Sequence, residues 1–253
     1  MNYPVIEGAE SFYIKGGEIG VLICHGFMGT PQSVRYLGER FAELGYTVLA
    51  VRLKGHGTDY RDLEKCTSED WFNSLENGYK VLKEECSKVF VIGQSMGGAL
   101  TLKLAYKYPN IDGIMLINAA LSVPAYEFVR KLDHPPRYIN EGKPDIKNPN
   151  IYEITYDKAP TSAIFELQKT MASVPRVLPY VTCPVLGIYS IDDHVVPPES
   201  TEYILKHVRS ANKNKVVLEN SYHVASMDYD QEKIVQESHQ FIVKQVVGNV
   251  VLQ

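Results

Sequence analysis

The stretch Val89-Phe90-Val91-Ile92-Gly93-Gln94-Ser95-Met96-Gly97-Gly98 decides the fold of this chain. Its four leading apolar residues predict a buried strand, and the residues after it, Ala99-Leu100-Thr101-Leu102, predict a helix. Between them lies a Gly-x-Ser-x-Gly sequence, which in this strand-to-helix context marks a sharp turn that exposes its serine. The two glycines leave room for a strained backbone at Ser95. The context predicts a nucleophilic serine, and the alternative is a tight turn whose serine has no catalytic role.

The bulk composition is that of an ordinary globular protein of 253 residues, with 45% hydrophobic residues and a net charge of −4. A slightly acidic chain is not expected to bind nucleic acid. No apolar run is long enough for a membrane segment, and residues 1–11 lack the basic start and apolar centre of a signal peptide. The four cysteines show no Cys-x-x-Cys or Cys/His spacing. We therefore expect reduced thiols, no bound metal and a cytoplasmic location.

Short apolar runs alternate with amphipathic stretches, which is typical of βαβ units around a mostly parallel sheet. The runs are nearly continuous in apolar residues, as expected for strands covered by helices on both faces. The pattern predicts about seven strands, at residues 11–15, 19–24, 47–53, 89–92, 113–118, 184–189 and 215–218. It predicts flanking helices at residues 31–44, 68–83, 96–108, 198–208 and 231–246.

Residues 121–181 break this alternation. They contain eight prolines, several aromatic residues and no convincing strand, and a structureless loop of this length would be unusual. We predict a small helical cap, with helical segments near residues 124–132 and 161–174, inserted into a core domain of residues 1–120 and 182–253. Because it follows the strand after the nucleophile, the cap should lie over the carboxyl ends of the strands, where ligands bind. The alternative is a structural subdomain with no role in binding.

A serine hydroxyl needs a base that takes its proton, and the chain has seven histidines. In this topology the acid and then the histidine follow the serine, with the histidine in the loop after the last strand. His223 lies in that loop and is the predicted base. The acid should follow the strand at residues 184–189, where Asp192 and Asp193 compete. We favour Asp193, because the next residues, His194-Val195-Val196-Pro197, would bury two valines and hold the aspartate at the loop tip.

Acyl transfer at a serine also needs an oxyanion hole. The residue after the nucleophile supplies one backbone N–H, here that of Met96, and a loop after an early strand supplies the other. The sequence His25-Gly26-Phe27-Met28-Gly29 ends such a strand, and its glycines allow the loop to turn toward the serine. We predict the Phe27 N–H as the second donor. His25 and His56 are expected to brace loops by hydrogen bonds rather than to act as bases.

Together these motifs resemble those of α/β-hydrolases, and more narrowly those of the small bacterial carboxylesterase and monoacylglycerol lipase family. The resemblance covers nearly the whole chain and rests on His25-Gly26-Phe27-Met28-Gly29, Gly55-His56-Gly57, Asp70-Trp71, Gly93-Gln94-Ser95-Met96-Gly97-Gly98, Asp193-His194-Val195-Val196-Pro197 and Ser221-Tyr222-His223. It implies an α/β-hydrolase fold and a small cap that admits one acyl chain. It also implies a catalytic triad and an oxyanion hole, formed by Ser95, Asp193 and His223 and by the amides of Phe27 and Met96.

The expected activity is the hydrolysis of carboxylic esters through an acyl-enzyme on Ser95, with no cofactor and no metal. Apolar side chains beside the serine favour a small-molecule ester with an aliphatic acyl chain, such as a monoacylglycerol or a short- to medium-chain ester. We also expect transient lipid contact through the cap. Three alternatives stay open: the same triad acting on a feruloyl ester, a thioester or an amide; acyl transfer to an alcohol; or a non-catalytic ligand-binding protein of this fold.

Overall fold

The computed structural model of the protein describes residues 3–248. Its strands, numbered in chain order, are β1 (Phe12–Ile14), β2 (Ile19–Cys24), β3 (Thr47–Val51), β4 (Lys88–Gln94), β5 (Gly113–Ile117), β6 (Tyr138–Asn140), β7 (Lys158–Pro160), β8 (Val185–Ser190) and β9 (Lys213–Leu218). Its α-helices are α1 (Arg35–Glu43), α2 (Tyr60–Leu63), α3 (Ser68–Glu85), α4 (Met96–Lys107), α5 (Thr161–Val177), α6 (Glu199–His207) and α7 (Gln231–Gly248). Short 3-10 helices add Pro31–Val34, Pro124–Lys131, Leu178–Tyr180 and Ala225–Met227.

Seven of the strands form one sheet in the order β1-β3-β2-β4-β5-β8-β9. Strand β1 runs antiparallel to β3, and all the other pairs are parallel. The predicted α/β-hydrolase architecture, a mostly parallel sheet of about seven strands flanked by helices, is confirmed. Because the carboxyl ends of parallel strands meet at one edge, the loops after β2, β4, β8 and β9 lie along the same edge of the sheet.

Helices cover both faces of the sheet. Along β2, Leu22 and Cys24 pack into the same cluster as Trp71, whereas Val21 and Ile23 pack into the cluster that contains Phe41 on α1. This alternation follows from the two-residue period of a strand. Each fully buried apolar side chain of this size contributes about 1.5–3 kcal/mol relative to an exposed one. The two clusters therefore hold the strand ends, and the loops that follow them, in fixed positions.

The insertion between β5 and β8 differs from our expectation of a purely helical cap. Strands β6 and β7 form a two-stranded antiparallel ribbon in it, with Ile139 opposite Ala159. Three-residue strands are too short to show a periodic pattern, which is why the sequence did not reveal them. The segment Pro124–Lys131 is a 3-10 helix, and α5 continues past Pro175 to Val177. The division into residues 121–181 and a surrounding core remains a prediction.

None of the helices within residues 3–248 is both long and apolar enough to cross a membrane.

Candidate active site

Ser95 lies at the turn between β4 and α4 with a strained backbone, φ 54° and ψ −119°. Its flanking glycines are required because the chain folds tightly on itself here. A Cβ atom on Gly93 would overlap the carbonyl oxygen of Gly97, and one on Gly98 would lie 2.6 Å from Cβ of Ala119. The surrounding packing thus holds a serine in a conformation that L-residues rarely adopt. The side chain is held at the carboxyl edge of the sheet as a result.

Three of the predicted site residues meet at this edge. Ser95 Oγ lies 2.9 Å from His223 Nε2, and His223 Nδ1 lies 2.8 Å from Asp193 Oδ2. In the tautomer with a proton on Nδ1, the imidazole donates to the carboxylate and accepts from the serine hydroxyl. The side chains of His223 and Asp193 are 9% and 1% exposed. Burial of this chain of hydrogen bonds strengthens each electrostatic interaction within it.

The two competing aspartates have different surroundings. The second oxygen of Asp193, Oδ1, accepts hydrogen bonds from the backbone N–H groups of Val195 and Val196, both at 2.8 Å. Asp192 points to solvent with a side chain that is 51% exposed, and its Oδ2 lies 4.0 Å from Nζ of Lys147. Only Asp193 is therefore positioned to orient the imidazole.

The two predicted oxyanion donors are also at this edge. Met96 is the first residue of α4, so its N–H has no acceptor within the helix. Within residues 3–248, neither it nor the N–H of Phe27 makes a hydrogen bond. The loop that carries Phe27 comes close to the serine, because a Cβ on Gly26 would lie 3.2 Å from Ser95 Cβ. Two unpaired backbone donors beside a serine can bind the oxygen of a tetrahedral intermediate.

His25 and His56 are buried beneath that loop. His25 Nδ1 donates to the Gly26 carbonyl at 2.8 Å, and the N–H of Leu53 donates to His25 Nε2 at 3.2 Å. Burial lowers the pKa of His25 to about 4. It also holds the pKa of His56 well below its usual range, with the adjacent His25 ring adding to the effect. Both rings are therefore neutral. His25 joins two loops by hydrogen bonds, whereas the His56 ring bonds within its own loop and packs edge-on against the rings of His25 and Phe27.

Asn118 is a site residue that the sequence analysis missed. It follows β5 with a positive φ of 46°. Its side-chain Oδ1 accepts from the Ser190 N–H at 2.8 Å, and its Nδ2 donates to the His223 carbonyl at 2.8 Å. Asn118 therefore joins the end of the strand before Asp193 to the loop that carries His223. Its position at the carboxyl end of a central strand was the available signal.

A cavity of about 160 Å³ opens beside Ser95. Residues of the core loops and of the insertion line it together. Its apolar lining includes Phe27, Met28, Val123, Tyr126 and Leu167, and its polar lining includes Glu141, Lys143, Asp145 and Glu153. The cavity can therefore hold a molecule with one apolar part and one polar part.

Glu153, from the insertion, was also missed. Only 8% of it is exposed, and within residues 3–248 its carboxylate makes no hydrogen bond. Burial raises its pKa to about 7, and the nearby His223 opposes this rise. A buried carboxyl group without a hydrogen-bond partner is costly, and this one lines the cavity beside Ser95. Within the same residues, no three His, Cys, Asp or Glu side chains are grouped to hold a metal ion.

A serine on a strand-to-helix turn, with an acid and a histidine from later loops of a mostly parallel sheet, defines an α/β-hydrolase. The sequence profile described as serine aminopeptidase, S33, matches residues 18–144, and the chain belongs to this family. It is 47% identical over 244 residues to a thermostable monoacylglycerol lipase of Bacillus sp. (strain H-257), covering 96% of this chain and 98% of the relative.

Two further comparisons agree with this assignment. A carboxylesterase of Bacillus subtilis (strain 168) is 31% identical over 240 residues, which cover 93% of this chain and 96% of the relative. Among solved structures, a chain from the metagenome-derived lipolytic enzymes LipS and LipT superposes with a TM-score of 0.92 at 42% identity, covering 95% of this chain and all of that one.

Proposed function

We propose that this protein is a serine hydrolase that cleaves carboxylic esters, with monoacylglycerols as its preferred substrates. The observation that carries the proposal is the continuous hydrogen-bonded chain from Ser95 through His223 to Asp193. The names of the two relatives, a monoacylglycerol lipase and a carboxylesterase, support the same class of substrate.

In the first half of the reaction, Ser95 Oγ attacks the ester carbonyl while His223 Nε2 takes the hydroxyl proton. Asp193 stabilises the imidazolium that forms. The N–H groups of Phe27 and Met96 bind the carbonyl oxygen as it becomes negative, and the amino-terminal end of α4 adds a favourable dipole. The protonated His223 then gives its proton to the leaving alcohol.

In the second half, a water molecule takes the place of the alcohol. His223 accepts a proton from this water as it attacks the acyl carbon, and the same two N–H groups hold the second tetrahedral intermediate. When that intermediate collapses, His223 returns the proton to Ser95 and the carboxylic acid leaves. These steps use only groups of this chain, water and the ester.

The cavity supports a substrate with an aliphatic acyl chain and a hydroxylated alcohol. Its apolar side chains suit a hydrocarbon, whereas the unpartnered carboxyl of Glu153 can accept hydrogen bonds from free hydroxyl groups. On the outside of the insertion, Phe128 and Leu132 are 45% and 41% exposed. We propose that these two exposed apolar side chains of the insertion make transient contact with lipid. The buried, unpaired state of all four cysteines supports a cytoplasmic location.

A fluorophosphonate probe tests the nucleophile without knowledge of the substrate. We expect covalent labelling of Ser95 in the wild-type protein and in Ser122→Ala, a control serine on the insertion, but not in Ser95→Ala. Labelling of a different serine, or ester hydrolysis by Ser95→Ala at the wild-type rate, would refute the proposal.

The substrate class is tested by comparing kcat/KM for a monoacylglycerol, a p-nitrophenyl ester of the same acid, a feruloyl ester and an acyl thioester. The monoacylglycerol should be the best substrate. Glu153→Leu, which has no hydrogen-bond acceptor, should raise KM for the monoacylglycerol more than for the p-nitrophenyl ester, since only the monoacylglycerol offers free hydroxyls. Transfer of the acyl group to added glycerol, in place of hydrolysis, would indicate an acyltransferase.

A further inference from the structure

His223 is held at four atoms, and each contact comes from a different part of the chain. Its ring nitrogens contact Ser95 and Asp193, and its carbonyl oxygen accepts from Asn118. Its backbone N–H donates to Oδ2 of Asp145 at 3.1 Å. Asp145 belongs to the insertion, whereas the other three residues belong to the sheet and its loops. One of the four attachments of the histidine thus depends on where the insertion lies.

The Asp145 carboxylate is a shared acceptor. Besides the His223 N–H, it accepts from His194 Nδ1 at 2.8 Å and from the His194 N–H at 3.2 Å. Its own backbone carbonyl accepts from the N–H of Val224 at 3.1 Å. The side chain is only 18% exposed. Through these contacts, one residue of the insertion touches both the loop that carries Asp193 and the loop that carries His223.

The next residues of the insertion reinforce this attachment. The N–H groups of Lys147 and Asn148 donate to the carboxylate of Asp228, at 2.7 and 3.1 Å. The same carboxylate accepts from the N–H of Tyr222 at 3.0 Å. The segment from 145 to 148 therefore bonds His223 and Val224 directly and shares the Asp228 carboxylate with Tyr222. Asp145 also lines the cavity beside Ser95, so the cavity wall and the histidine backbone are joined directly.

We propose that Asp145 is a positioning residue for the reaction: it sets the backbone of His223 from the insertion and so makes the placement of the base depend on the docked insertion. The inference rests on the proposed function. The physical reason is that the imidazole must lie within hydrogen-bond reach of the serine, and a displacement of about 1 Å at a catalytic group can cost about 100-fold in rate. Without Asp145, the His223 N–H loses its buried acceptor and the loop can relax.

The test compares Asp145→Ala, Asp145→Asn and His194→Ala with the wild-type protein, using p-nitrophenyl acetate and p-nitrophenyl octanoate. Asp145→Ala should lower kcat by about 10- to 100-fold for both esters, with little change in KM. Asp145→Asn should retain most of the rate, because its carbonyl oxygen can still accept from the His223 N–H. His194→Ala removes the other side-chain contact of Asp145 and should change kcat by less than about threefold.

A purely structural role would give a different result. If Asp145 only held the insertion against the core, Asp145→Ala would raise KM, and it would do so more for the octanoate. Such a rise in KM would overturn the inference. So would an unchanged kcat in Asp145→Ala, or a loss of kcat in His194→Ala equal to that in Asp145→Ala. If Asp145→Ala does not fold by circular dichroism, Asp145→Ser, which cannot reach the His223 N–H, takes its place with the same expected loss. Failure of the fluorophosphonate to label the wild-type protein would instead overturn the proposed function, and this inference with it.

Discussion

Replacing Glu153 with glutamine should change how the stability of the protein depends on pH. Burial raises the pKa of this carboxyl from 4.5 to about 7, so the folded protein binds its proton more tightly than the unfolded chain does. Stability therefore falls as the pH rises from about 4.5 to about 7 and levels off above that range. The full effect of a pKa difference of this size is about 3 kcal/mol.

Glutamine at this position cannot ionise, so the variant does not undergo the loss of stability that Glu153 causes as the pH rises. Relative to the wild-type protein, Glu153→Gln should gain about 2–3 kcal/mol between pH 5 and pH 8, with nearly all of the gain complete by about pH 7. Any cost of the new amide group shifts the difference equally at every pH. The change of this stability difference with pH, rather than its value at one pH, therefore measures the raised pKa of the buried carboxyl.

Urea unfolding of both proteins at several pH values measures this slope. Glu127→Gln is the matched control, because it removes one carboxylate from an exposed position of the same insertion. A difference between Glu153→Gln and wild type that stays constant from pH 5 to pH 8 would refute the reasoning. It would mean that Glu153 is ionised at little cost and does not present an unpaired group to the cavity.

Three other substitutions test the site and its support. Asp193→Asn should lower kcat by about 10⁴-fold, because the amide favours the wrong imidazole tautomer. Asp192 is half-exposed, so Asp192→Asn should change kcat by less than about threefold. Equal losses of kcat in steady-state assays would contradict the assignment of Asp193 as the acid. Asn118→Ala should destabilise the protein by about 2–3 kcal/mol in urea unfolding, since it leaves two buried backbone groups unpaired; a change below about 0.5 kcal/mol would show that these groups find other partners. Gly98→Ala should lower stability by about 1–3 kcal/mol despite the better helix propensity of alanine, because its Cβ would crowd Ala119; a stabilised variant would contradict this close packing.

The sheet and the residues it positions could be predicted because their requirements are local. The glycines around Ser95 are needed by the turn itself, and the bounds of the seven sheet strands fall within two residues of those expected. The contacts of Asp193 with Val195 and Val196 also arise within a few residues. The geometry of such groups is set by residues close to them in the chain, so it can be predicted from the local sequence.

The contribution of the insertion could not be predicted in the same way, because its docking depends on contacts between residues far apart in the chain. Asp145 lies 78 residues before His223, and its carboxylate accepts a hydrogen bond from the His223 N–H. Glu153 lies in the wall of a cavity that residues of the insertion, including Leu167 of α5, form together with the loops of the core. Side chains of this kind can change without disturbing the turn at Ser95, so the wall of the cavity can vary while the geometry at the serine is kept. The contact of Asp145 with the histidine backbone limits that freedom, since a substitution there would alter the base as well as the cavity wall.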